Sequence, residues 1–254
     1  SMHYFPFGKR KVVIARGTEF EMKRQQSRGI AMEEGESIAD TVERMRSEIE
    51  NPSFLSDDPT PVDMHQRIQV KMLRDAVDAM KDSSPYGFTV EGITEVGFRH
   101  PDLLYYLGHF FDLPIDKLYG IDIAPASVDI ARIFGISSDV YNLGAPIFPI
   151  HRMNQTNLVV CWHVLEHVHD PAAALRRIYR DMPPGGLLSV EVPIEDGMFY
   201  DVNSDYGHSI LLEKGDLEVM CRSLGFMILK VSRYVPGGND SGVVMENLTC
   251  VKMM

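Results

Sequence analysis

Cysteine is scarce in this chain: Cys161, Cys221 and Cys250 are the only three in 254 residues, each inside an apolar run. They make no CxxC pair and no even-numbered framework, so a disulfide scaffold is excluded and reduced core residues of a cytosolic protein are expected. No apolar run approaches the ~18 residues of a membrane span, and no signal-peptide pattern opens the chain, so a cytoplasmic, membrane-free protein is expected. Basic residues are also short, 25 Lys and Arg against 36 Asp and Glu, for a net charge of -11. Phosphate-rich partners would be repelled overall, which argues against nucleic acid and anionic membrane surfaces. GxGxxG and GxxxxGK are both absent, and NAD-type and P-loop readings fall behind. Repeats and low-complexity tracts are missing too.

What is present is a division of charge, then an alternation of elements. Residues 1–30 hold seven basic residues (Lys9, Arg10, Lys11, Arg16, Lys23, Arg24, Arg28) against Glu19 and Glu21. Residues 33–58 hold nine acids against Arg44 and Arg46, and solvated faces with a basic arm are the plainest reading. Ile38, Val42, Met45 and Ile49 predict an amphipathic helix over Glu36–Glu50. Met64, Ile68, Met72, Ala76 and Met80 predict a second, stopped by Ser83-Ser84-Pro85.

From Phe88 onward strands and helices take turns. Val90–Val96, Lys117–Ile123, Asn157–Cys161, Leu187–Val192, Phe226–Val231 and Val243–Val251 read as strands. Helices are expected from Pro101, from Pro125 to Gly135, after Asp170-Pro171, and along Leu217, Met220, Cys221 and Leu224. The fold class is α/β: a doubly wound, mostly parallel, seven-stranded Rossmann-like sheet with an N-terminal helical extension.

In such a sheet the ligand lies beyond the carboxyl ends of the strands. Those ends are Glu95-Val96-Gly97, Asp122, the stretch around Asp139, and Cys161–His167. Asp122 falls 25 residues after Gly97, where a carboxylate can accept the hydroxyls of a nucleotide's ribose. The alternative for Asp122 is an exposed helix-start acid favoured by the helix dipole. His163, Glu166 and His167 have HxxEH spacing, but their place directly after an apolar strand speaks against a zinc peptidase. His163, His167 and His208 are the candidates for a general base, since imidazole titrates near neutral pH. Tyr200, Tyr206 and Trp162 are candidates to line an acceptor pocket.

The order of these segments resembles class I S-adenosylmethionine (SAM) methyltransferases over about residues 88–252. The resemblance is carried by Leu118-Tyr119-Gly120-Ile121-Asp122-Ile123-Ala124-Pro125, by the run from Leu158 to Pro171 containing Trp162-His163-Val164-Leu165-Glu166-His167, and by Pro184-Gly185-Gly186-Leu187-Leu188. It implies 88–254 as the methyltransferase-like domain, and the amphipathic stripes of the two preceding helices then make residues 1–87 an N-terminal arm and helical lid that keeps water from the site. It further implies SAM as cofactor, with Glu95, Gly97, Arg99, Asp122, Ile123, Asp139 or Asn142, and Trp162 around it. The implied reaction is methyl transfer to an oxygen or nitrogen of a small molecule.

One departure matters. The family's acid is followed by three glycines at alternating positions; this chain reads Glu95-Val96-Gly97-Phe98-Arg99-His100-Pro101, with Arg99 and Pro101 at the second and third. That opens a rival expectation, a catalytically silent methyltransferase-like domain. A third is a metal-dependent O-methyltransferase, in which His163, Glu166, His167 and His208 stand where related ubiquinone-pathway and small-RNA enzymes hold an ion. No metal ligand is assigned beyond that resemblance.

Overall fold

The computed structural model describes residues 37–83, 87–144, 148–194, 208, 210, 212–236 and 243–253. The basic N-terminal arm, Tyr200 and Tyr206 lie outside the described residues.

Ser37 opens α1 (Ile38–Glu50) with a reciprocal cap: its hydroxyl accepts the Asp40 N–H, and the Asp40 carboxylate accepts the Ser37 N–H. Met45 of this helix is buried against Ile130, beside Val42 and Phe134. The second helix, α2 (Pro61–Ser83), starts in the same way, with the Asp63 carboxylate accepting from the Thr60 N–H and hydroxyl. Its apolar stripe puts Val70, Leu73 and Val77 into the same core cluster as the sheet. Both helices are packed onto the α/β body, because a helix of this length needs a packing partner to persist in water.

The sheet has seven strands in the order β3-β2-β1-β4-β5-β7-β6. These are β1 (Ile93–Val96), β2 (Leu118–Asp122), β3 (Ser137–Val140), β4 (Leu158–Trp162), β5 (Leu187–Ile194), β6 (Phe226–Tyr234) and β7 (Val244–Lys252). The first five are parallel, and β7 runs antiparallel between β5 and β6. Side chains along β4 alternate between two cores, as strand geometry requires. Leu158 and Val160 face α2, α3 (Asp102–Phe110) and α4 (Pro125–Ile133); Val159 and Cys161 face α5 (Pro171–Asp181) and α6 (Asp216–Leu224). Each fully buried Leu or Val contributes about 2 kcal/mol to holding these layers together.

Two differences from expectation have local causes. β1 begins at Ile93 rather than Val90, which is buried but unpaired in the ladder. β3 is a short polar strand, Ser-Ser-Asp-Val, whose last two residues are exposed at the sheet edge. An edge strand lacks the apolar signal of a central one.

Since the chain leaves β1 toward β2 and β3 and then returns to β4, strand order reverses at β1. The carboxyl ends of β1, β2 and β4 therefore frame the crevice where a ligand belongs.

Candidate active site

The loop after β1 keeps a left-handed backbone although it has lost glycines. Gly97 has φ +68° and donates its N–H to the Ile121 carbonyl at 2.7 Å. A Cβ on Gly97 would stand 2.4 Å from Cγ2 of Val164, so the approach of the β4 loop tolerates only hydrogen there. Phe98 turns inward, 4% exposed, against the face of Gly120. Arg99 has φ +51° and an exposed side chain. An L-residue in that conformation costs roughly 1–2 kcal/mol. Its N–H is what the conformation delivers: it donates to Asp122 Oδ2 at 2.8 Å. Pro101 caps α3, where a missing N–H costs nothing.

Asp122 is buried at the end of β2, not an exposed helix-start acid. Its second oxygen, Oδ1, accepts the Ala124 N–H at 2.8 Å. Each oxygen thus has one backbone donor, leaving about two of its four lone-pair sites for a ligand's hydroxyls. Burial raises the acid's pKa, while the N–H groups of Ala124 and Arg99 oppose the rise. Glu95, on β1, is buried and Oε2 has no hydrogen-bond partner. Burial, then the nearby charges of Asp102 and Asp122, push its pKa well above the carboxylate range. Burial likewise lifts Asp102 to about 6, against the pull of backbone N–H groups at the start of α3. Three carboxyl groups therefore share one corner of the crevice, with Arg99 the cation that acts on Asp122.

Toward the edge, Ile123 is half-buried just past Asp122. Asp139 lies within β3, level with Ile121, and its carboxylate accepts from Tyr119 (2.8 Å) and lies 3.5 Å from Arg132. Asn142 lies beyond the end of β3, where its Oδ1 accepts the Gly144 N–H at 2.9 Å. Trp162 is a packing residue: its ring sits in the core cluster facing α2–α4 and its indole N–H donates to Ser189 Oγ at 2.9 Å.

The histidines after β4 divide between two carboxylates. His163 has φ +56°. Its Nε2 lies 3.0 Å from Glu191 Oε1 and its Nδ1 3.3 Å from Glu166 Oε1. Burial opposes charge on this ring, but hydrogen bonds to the two carboxylates override it and raise the pKa to about 10. Glu191, level with the last residue of β4, has no exposed surface. It gathers His65 Nε2 (2.8 Å) and Gln69 Nε2 (2.7 Å) from α2, Tyr234 OH (2.8 Å) from β6 and Asn247 Nδ2 (2.9 Å) from β7. Burial opposes its ionisation, and the hydrogen bonds from His163 and His65 hold its pKa far below the usual range. Glu166, also buried, keeps Oε2 unpartnered and lies 4.0 Å from His167 Nε2, whose ring meets that of His208 at 5.1 Å. The four-residue set expected around an ion is thus split: His163 goes with His65 and Glu191, and Glu166 with His167 and His208.

This geometry can be set beside known proteins. A family described as "Methyltransferase domain" matches residues 94–231, more than half of the chain. The chain belongs to that family. Methyltransferases of this kind use SAM as cofactor. The ubiquinone biosynthesis O-methyltransferase of Xanthomonas oryzae pv. oryzae (strain PXO99A) is 36% identical over 76 residues, 28% of this chain and 32% of that protein. That of Pseudomonas aeruginosa (strain LESB58) is 34% identical over 73 residues, 27% and 32% of the two chains. The match therefore spans about a third of the length of these curated relatives. In overall fold the methyltransferase resembles N-methyltransferase NodS from Bradyrhizobium japonicum WM9, solved with S-adenosyl-l-homocysteine: TM-score 0.53, 14% identity, 84% of this chain and 98% of that one. It also resembles magnesium protoporphyrin IX methyltransferase from Synechocystis PCC 6803 with bound SAM: TM-score 0.54, 12% identity, 91% and 97%.

The hub of the site escaped the sequence reading. His65, Gln69, Glu191, Tyr234 and Asn247 were not singled out. One signal was available: Glu191 is an acid in the middle of Leu187–Ile194, a strand otherwise fit for complete burial. A charge there demands partners.

Proposed function

We propose that this chain transfers a methyl group from SAM to an oxygen or nitrogen of a small molecule. The observation that supports it most is the acidic corner made by the buried Glu95 and Asp122, at the carboxyl ends of β1 and β2, with the half-buried Asp102 at the start of α3, a setting suited to a cationic ligand. When bound, the cofactor supplies an electrophilic methyl on its sulfonium. Asp122 accepts the ribose hydroxyls, Ile123 lies against the adenine, and Asn142 serves the adenine edge, since Asp139 is engaged by Tyr119 and Arg132. Glu95 and Asp102 take the ammonium group, with Glu95 losing its proton as the charge arrives. Arg99 is the cation available for the cofactor's carboxylate.

His167 and His208 are the groups to take the acceptor's proton, because both ring nitrogens of His163 already face carboxylates. The helices α1 and α2 act as a lid that keeps water from the acceptor, a role motivated by the reach of His65 and Gln69 to Glu191. A second reading, a metal-dependent O-methyltransferase, draws on Glu166 Oε2, which is buried without a partner beside His167 and His208.

Calorimetric titration with S-adenosylhomocysteine tests the cofactor site. Wild-type binding that is lost in Asp122→Ala supports it. A wild-type protein that binds neither this compound nor SAM would leave the silent-domain reading in its place.

A further inference from the structure

Five side chains converge on Glu191, yet a carboxylate offers about four lone-pair sites. The excess falls on one oxygen. Oε1 receives His65 Nε2 at 2.8 Å, His163 Nε2 at 3.0 Å and Gln69 Nε2 at 2.7 Å, while Oε2 carries only Tyr234 and Asn247. His163 has a second constraint. Its Nδ1 faces Glu166 and its Nε2 faces Glu191, so a neutral ring can donate to only one of the two carboxylates. The nitrogen facing the other carboxylate is satisfied only when the ring is protonated or when a metal ion lies between the two.

We propose that His65, His163 and Glu191 bind a divalent first-row transition ion of the zinc class. Their ligating atoms lie within 4.8 Å of one another, and they come from three separate parts of the fold: α2, the turn after β4, and β5. Two imidazoles and one carboxylate are a donor set for zinc and its neighbours rather than for calcium or magnesium. Glu166 on Nδ1 of His163 is the carboxylate that fixes the tautomer and orients a ligating ring. Tyr234 and Asn247 hold Glu191 by its other oxygen, leaving one lone pair of Oε1 to the ion while Gln69 donates to the second. The side chains of His65 and His163 are 18% and 31% exposed, which leaves a path for the ion and room for water to complete its coordination. Three protein ligands with an open position describe a reactive rather than a sealed site. This assignment does not depend on the methyl-transfer reading, and it differs from the Glu166, His167 and His208 set.

Full-length protein freed of metal by chelator and dialysis is titrated with Zn²⁺ by calorimetry, alongside His65→Ala and His167→Ala. The proposal expects one tight site in the wild type, an affinity lower by about 100-fold or more in His65→Ala, and little change in His167→Ala. Co²⁺ should give visible d–d absorption that His65→Ala loses. If His65→Ala does not fold, as judged by circular dichroism, His65→Asn takes its place. A wild type that binds no Zn²⁺ at millimolar concentration overturns the proposal. So does binding that survives loss of His65 and disappears with His167, which would place the ion at the other cluster.

Discussion

Arg99 donates its backbone N–H to the carboxylate of Asp122, so the residue that breaks the glycine pattern also supports the acid the pattern serves. The left-handed turn at residue 99 survives without glycine because its peptide has a buried anion to satisfy. Arg99→Gly should therefore fold with stability within about 1 kcal/mol of wild type, as relief of strain offsets greater freedom of the unfolded chain. Arg99→Pro removes the N–H and forbids the positive φ, and should cost more than about 2 kcal/mol. Urea denaturation separates them; equal stability of the two would show that this hydrogen bond contributes little.

Gly97→Ala should destabilise by about 2–4 kcal/mol, from the overlap with Val164 together with the left-handed φ. Gly97→Ala combined with Val164→Ala should recover the overlap and leave about 1 kcal/mol from the backbone. Thermal melts of the single and double variants decide it. No recovery in the double variant would locate the cost elsewhere.

Asp102 should make stability fall as pH rises. Its folded pKa of about 6 exceeds the ordinary 3.8, so between those values the folded protein binds more protons than the unfolded chain. Its contribution is complete below about pH 4 and is lost as pH climbs through about 6, by roughly 2–3 kcal/mol. Glu95 is shifted in the same direction and extends the slope upward. Denaturation midpoints at pH 4, 5, 6 and 7 should decline less steeply in Asp102→Asn; an identical slope would clear Asp102 of the effect.

Donors on Glu191 should differ in worth from the acid itself. Tyr234→Phe removes one of five and should cost about 1 kcal/mol or less, since Asn247 still serves the same oxygen. Glu191→Gln turns an acceptor into a donor amid donors and should cost about 2–4 kcal/mol. Chemical denaturation at pH 7 measures both, and a larger loss for Tyr234→Phe would contradict the hub.

Much of this molecule could be seen in the chain. The central strands announced themselves because burial on both faces demands unbroken apolar runs, as in Leu158-Val159-Val160-Cys161-Trp162. Proline at N1 and an N-cap aspartate placed the helices at Pro125 and Pro171. β3 was visible only as a stretch around Asp139, since an exposed edge strand carries little periodic signal. Around the site, local motifs exposed Asp122, Gly97 and the histidines, whereas the Glu191 hub was hidden by distance. Its donors lie at residues 65, 69, 163, 234 and 247, and only sheet order and the packing of α2 bring them together.

That dispersal sets a rule for dissecting the protein. A fragment trimmed to residues 94–231 would keep Glu191 and His163 but discard His65, Gln69, Tyr234 and Asn247. It would also remove β7, the strand that covers the flank of β5. Such a truncation would leave a stranded anion on a raw sheet edge, prone to aggregation whatever the quality of its cofactor pocket. The smallest autonomous piece of this chain has to run from α2 through β7.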